Sequence, residues 1–399
     1  ISNSGGASGE GVSIVTGAGN DTIKNSGNGY TTITAGNGSN YIDNTSNGTD
    51  VNILTGDDSD TIISHSTKTI IDSGKGNDKI TNYGSGTGVT ANVVTIDSGE
   101  SNDTITNYGS YVSINAGVGA NVINIGSDTL AGFANVTVIG AEGATDTITN
   151  YASDTFIDET TAGAGAANIT NNANNVTVVT GTPDDIIANA GKKVVISAGN
   201  GDNTITSESV DGANDSNGVT IDTGIGNDSI VVTSSFTTIN AGRGANYVAV
   251  LKEGIFDDDP SPENLKITTG VDNDTIKSAA TKATIDAGNG NNVIENTGSG
   301  TGVTAGTLNM IKTGTGTDSI VNTGNNVSID AGEGANYVYN SNTGDNVLIE
   351  SGSGADSISN AGNLVTINTG AGNDSINNTG ADVAIDAGAG ANYIYNSNR

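Results

Sequence analysis

The chain has 399 residues, with 59 Gly, 3 Pro, one His, one Met, neither Cys nor Trp, and a formal net charge of -31. Thirteen Lys and Arg against 44 Asp and Glu exclude a nucleic-acid surface, and the absence of Cys excludes disulfides and thiol chemistry. No apolar run is long enough to span a bilayer, and Ile1 opens on polar residues without a signal-peptide pattern, as expected of a mature or excised piece.

The first ten residues precede any repeat and read as an N-terminal extension, 1–10. From Ile14 the chain runs through the loop Gly17-Ala18-Gly19-Asn20-Asp21 to Ile23, and the same block returns from Ile33 to Ile42 around Asn40. A loop of this kind, with Ile or Val two residues after its Asp/Asn slot, recurs nineteen times between Gly17 and Asn392, and thirteen of the copies have the full form Gly-x-Gly-x-Asp/Asn. Its Asp/Asn slot holds Asp21, Asn40, Asp60, Asp78, Asp103, Asn121, Asp146, Ala167, Asp185, Asn203, Asp228, Asn246, Asp274, Asn292, Asp318, Asn336, Asp356, Asp374 and Asn392. An apolar residue stands seven before the slot, three before the first loop Gly in the regular blocks, in every block except at Thr160.

Alternation on both sides of the loop gives two short strands, and a Gly at about every seventh position costs roughly 1 kcal/mol each in a helix interior. The sequence therefore predicts an all-β, flattened parallel β-solenoid of about nineteen coils, with two short strands per 18-residue coil. It would run as one continuous repeat domain over 11–399, on the order of 90 Å long at about 4.8 Å per coil.

Insertions fall at the opposite corner, at Tyr83 to Asn92, Ser207 to Gly218, Leu251 to Asn264 and Thr297 to Thr307, so one edge is constant and the other variable. The acidic excursion Phe256, Asp257, Asp258, Asp259, Pro260 reads as a solvated loop, and His65 as an exposed strand residue. Thirteen Asn residues stand four after the slot, among them Asn25, Asn44, Asn82, Asn107 and Asn150, and are expected to stack amide on amide.

The loops GAGNDTI at 17–23, GKGNDKI at 74–80, GIGNDSI at 224–230 and GAGNDSI at 370–376 resemble the nonapeptide G-G-x-G-x-D-x-U-x of the RTX calcium-binding β-roll proteins. The resemblance implies Ca²⁺ held between coils by Asp21, Asp60, Asp78, Asp103, Asp146, Asp185, Asp228, Asp274, Asp318, Asp356 and Asp374. The chain departs from that pattern in having Thr, Ala or Ser for the first Gly, the motif at one corner per coil, and Asn in seven slots. A capping role, in which Asp and Asn simply accept backbone N–H groups, stands beside the metal reading.

The residue after the slot points outward, usually Thr or Ser after Asp and often larger after Asn. Tyr41, Tyr247, Tyr337 and Tyr393, with Tyr339 and Tyr395 two residues on, form a candidate contact ridge for self-association or glycan stacking. The last coil keeps the repeat pattern up to Arg399, so end-to-end self-association or a place within a longer array is also expected. No Ser/His/Asp or Cys/His arrangement is available, and the expected function is non-enzymatic: an extracellular or cell-surface fibre subunit, adhesin stalk or extender. The alternative is a carbohydrate- or ice-binding solenoid.

Overall fold

A computed structural model describes residues 1–4, 10–46, 48–87, 93–127, 135–140, 144–160, 165–208, 218–252, 261–302, 308–341 and 343–397. The chain is an all-β parallel solenoid of about 18–19 coils, in two compact units, Ile1–Ile196 and Ser197–Arg399. Much of the predicted insertions, including Phe256 to Pro260, lies outside the described residues.

Each coil contributes one strand to each of two parallel sheets. In the first unit one sheet is built from the strands after the slots, Thr22–Asn25, Tyr41–Asn44, Thr61–Ser64 and onward to Ile186–Asn189. The other is built from the strands before the loops, from Val12–Val15 and Thr31–Thr34 to Thr177–Thr180. Pairing is in phase, so Ile23, Ile42, Ile62 and Ile80 face one another across successive coils, as do Ile14, Ile33, Ile53 and Ile71. The second unit repeats the plan, with Ile205, Ile230, Val248 and Ile276 in one column and Ile221, Ile239, Ile267 and Ile285 in the other. Almost all of these side chains are fully buried, and each contributes about 2 kcal/mol of transfer free energy.

Two local readings change. Ser2 and Asn3 pair with Lys24 and Asn25, so part of the N-terminal extension is already sheet. In the coil of Ala167 the column is held by buried Ile157, which pairs with Val138 and Val178, whereas Thr160 is exposed. The loop there is longer, so counting back from its first Gly lands past the strand.

The two corners turn by different means. At the Gly loop, coils stack so closely that a Cβ on Gly388 would run into the Gly370 carbonyl, and one on Gly334 into that of Gly316. The opposite corner enters the next strand through a left-handed residue that is not Gly, such as Asn175 (φ 62), Lys193 (φ 54), Asn326 (φ 55), Asn346 (φ 57) and Leu364 (φ 56).

Candidate functional site

Strand alternation turns every slot side chain inward, beneath the Gly loop, next to the Ile ladder. All slot Asp residues except Asp21 are at most 2% exposed. The backbone N–H of a slot residue donates to Oδ1 of the slot residue one coil on wherever that residue is Asp or Asn in the runs that follow. In the first unit this runs Asp21 to Asn40, Asp60, Asp78, Asp103, Asn121 and Asp146, and again from Ala167 to Asp185, at 2.7–3.0 Å. In the second it runs without interruption from Asn203 to Asn392, at 2.8–3.1 Å. Capping of backbone N–H groups is therefore present, and the group capped belongs to the neighbouring coil.

Asp and Asn share Oδ1 and differ in the other atom. The Asn amide nitrogen donates back to its own loop: Asn40 to the Gly36 and Gly38 carbonyls, Asn121 to Gly119, Asn203 to Gly201, Asn246 to Gly244, Asn292 to Gly288 and Gly290, Asn336 to Gly332 and Gly334, and Asn392 to Ala387 and Gly388. A carboxylate has no hydrogen to give there. Oδ2 of Asp60, Asp78, Asp103, Asp228, Asp274, Asp318 and Asp374 is buried with no hydrogen-bond partner.

Burial is the main cause that raises the pKa of several carboxyls in this column. It pushes Asp78 up to about 6 and Asp103 to about 7, and moves Asp60, Asp185, Asp228, Asp274 and Asp356 upward as well. No Lys or Arg is among the groups that act on these carboxyls. Among the described residues, no three His, Cys, Asp or Glu side chains are arranged to hold a metal ion. Any cation in the column would thus have at most two carboxylates and otherwise neutral oxygens.

Sequence reading missed a second residue of the site. Five before the slot stands Thr16, Thr55, Ser73, Ser98, Thr180, Thr223, Thr269, Thr313, Ser351 or Thr369 in ten of the Asp coils, whereas all seven Asn coils have Ala there: Ala35, Ala116, Ala198, Ala241, Ala287, Ala331 and Ala387. The hydroxyl lies beside the carboxylate; Ser351 Oγ donates to Asp356 Oδ2 at 2.8 Å. Elsewhere the contact favours the ionised form of Asp60, Asp78, Asp103, Asp228 and Asp274, yet the hydroxyl hydrogen is given to the next coil's carbonyl. One hydrogen cannot serve both, and the directed bond to the carbonyl, at 2.8–3.1 Å, is the one the geometry supports. A phase-locked comparison of the nineteen blocks at this position would have revealed the pairing.

Asp146 and Ala167 are the exceptions. The position equivalent to the hydroxyl is Gly140 in the Asp146 coil and Glu159 in the Ala167 coil. Glu159 is 2% exposed, hydrogen-bonds Asp146, and places its carboxyl where a Cβ on Gly140 would be. Burial first, then Asp146, pushes it up to about 9, and its Oε1 is buried without a partner.

The Asn ladder four after the slot is present. Asn25 donates to Asn44, Asn82 to Asn107, Asn150 to Asn171, and Asn296, Asn322, Asn340, Asn360 and Asn378 each to the next, at 2.7–3.1 Å. His65 is exposed, as expected, but it follows the strand Thr61–Ser64 instead of lying in a strand; its ring stacks on Tyr83 at 4.5 Å, and Tyr83 stacks on Tyr108 at 5.1 Å.

The ridge residues are divided between the two units. Tyr41 lies in the first unit between Thr22 and Thr61, and the other five lie in the second. There the row alternates as Ser229, Tyr247, Thr275, Val293, Ser319, Tyr337 and Ser357, then breaks at Ser375 before Tyr393. Tyr339 and Tyr395 occupy the parallel row two residues on, with Tyr339 half-buried. Comparison of the chain with protein-family models, curated proteins and solved structures gives no match.

Proposed function

We propose that the protein is a non-enzymatic, extracellular or cell-surface structural repeat rod whose Asp slots take Ca²⁺ and are stiffened by it, in the manner of the RTX-type repeats that its loops resemble. The observation that carries this reading is the orphaned Oδ2. Where an Asn coil satisfies its loop carbonyls with an N–H, an Asp coil sets another oxygen, and a cation or a proton is what reconciles a buried carboxylate with such neighbours. Ca²⁺ accepts six to eight oxygens in flexible geometry, which suits carbonyl, carboxylate and hydroxyl donors from one turn. So few carboxylates per site place the affinity on the order of 10⁻⁴–10⁻³ M, the range of extracellular modules bathed in millimolar calcium. The repeated, self-satisfied Asn coils between Asp coils fit a scaffold that keeps its register as ions come and go.

Thermal melting of the chain in excess chelator, then with Ca²⁺ or Mg²⁺ restored, tests the reading. A melting temperature raised by Ca²⁺ and not by Mg²⁺, which demands a tighter octahedral shell, is expected. Coincident melting curves under all three conditions would leave capping as the column's whole role.

A further inference from the structure

We infer that the ion-taking unit of each coil is the pair formed by the slot Asp and the Ser or Thr five residues before it, so that ten coils take a divalent cation and the Asp146 coil does not. The inference rests on the reading under Proposed function and assigns its ligands.

The first observation is the coupling within the chain. All ten Asp slots reached by the ordinary loop length carry a hydroxyl, all seven Asn slots carry Ala, and no mixed coil occurs. Capping of the next coil's carbonyl does not explain this, because Ala in seven coils leaves the equivalent carbonyl without such a donor. A ligand role does. An Asn coil sends its amide hydrogens to the loop carbonyls and needs no further oxygen, whereas an Asp coil needs neutral oxygens around a cation.

The second observation is atomic. Where the hydroxyl gives its hydrogen to the next coil, as Thr313 does to Ala331 at 2.7 Å, its lone pairs remain free, and Asp318 Oδ2 in the same coil is buried without a partner. In the last of the ten pairs, Thr369 Oγ1 and Asp374 Oδ2 are both buried and both unpartnered, in residues 0% and 1% exposed. Two orphaned oxygens of one turn, beside loop carbonyls that lack the Asn donor, make a hard-cation ligand set. The Asp146 coil has Gly140 in place of the hydroxyl, and the carboxyl of Glu159 fills that space.

Calcium bound per chain at saturation, measured by equilibrium dialysis up to about 10 mM free Ca²⁺, tests the assignment, with circular dichroism to confirm folding. About ten ions are expected for the unaltered chain, one for each pair. Thr223→Val with Thr313→Val should lose two, the same two changed to Ser should lose none, and Asp318→Asn should lose one. Asp146→Asn should lose none. Converting an Asn coil with Ala331→Ser and Asn336→Asp should add one. Retention of every ion by the Val variant, or loss of one from Asp146→Asn, overturns the assignment while leaving cation binding in place. An unaltered chain that binds no Ca²⁺ overturns both it and the reading it rests on.

Discussion

Between Asp60 and Asp103 three consecutive coils repeat one arrangement: a slot Asp whose Oδ1 caps the coil before, an Oδ2 without a partner, and a hydroxyl from Thr55, Ser73 or Ser98 alongside. Between Asp146 and Asp185 the backbone follows the same register, but the chemistry has been redistributed. Gly140 has lost the hydroxyl, Ala167 has lost the carboxylate, and Glu159 reaches back one coil to stand beside Asp146. The comparison shows that the solenoid constrains positions in space more than residues in sequence. A polar group missing from one coil is supplied by its neighbour, provided both give up the side chains that would collide.

Restoring the lost hydroxyl tests that exchange most severely. Gly140→Ser drives a side chain into the Glu159 carboxyl, which is buried and has no open solvent to move into, so a loss of about 1–3 kcal/mol in urea unfolding is expected. Adding Glu159→Thr recreates the arrangement of the Asp60 stretch and should recover most of that loss. Additive effects in the double-mutant cycle would show that the two positions do not share one space.

Acidity sharpens the contrast next. Asp78 and Asp103 titrate in the folded chain near 6 and 7, above the ordinary 3.8, so the native state binds protons that the unfolded state has released. Their stabilising contribution is therefore complete below about pH 4 and is lost as pH rises through 6 to 7, the reverse of the usual salt-bridged Asp. In chelator, the melting temperature should fall by roughly 5–10 °C between pH 5 and pH 8. Added Ca²⁺ should remove most of that fall, because the ionised carboxylate is then the ligand. A melting temperature that climbs with pH in chelator would contradict the desolvation of these groups.

The smallest effect concerns the corner opposite the ions. Leu364 holds φ 56 at 60% exposure, where the two preceding coils use Asn326 and Asn346. Leu364→Asn should stabilise by about 0.5 kcal/mol, since Asn tolerates the left-handed region better and no buried contact is sacrificed. A destabilised variant would mean that the Leu side chain contributes packing its exposure conceals.

How much was legible depended on whether a pattern stayed in phase. The Ile columns and the Asn25-to-Asn44 type ladder were readable because each residue meets its own copy one coil away. The hydroxyl paired with each Asp was equally in phase, at five residues before the slot, but it emerges only when Asp and Asn coils are compared as classes. Ile157 was misassigned to Thr160 because a lengthened loop shifts the count. The stack of His65 on Tyr83 and Tyr108 was hidden by coil steps of 18 and 25 residues, which the chain does not announce as neighbours.

By itself the sequence determined the coil: which residues face inward, where the tight turn lies and that the units stack in parallel, because period-2 alternation and Gly placement are local constraints on the backbone. Only the tertiary structure decided which oxygens are left without hydrogen. That outcome depends on which coil each hydroxyl serves, on the register that hands every Oδ1 to a neighbour's N–H, and on Glu159 crossing from one coil to the next. Satisfaction of a buried polar atom is a property of the stacked pair of coils, and no single coil's sequence contains it.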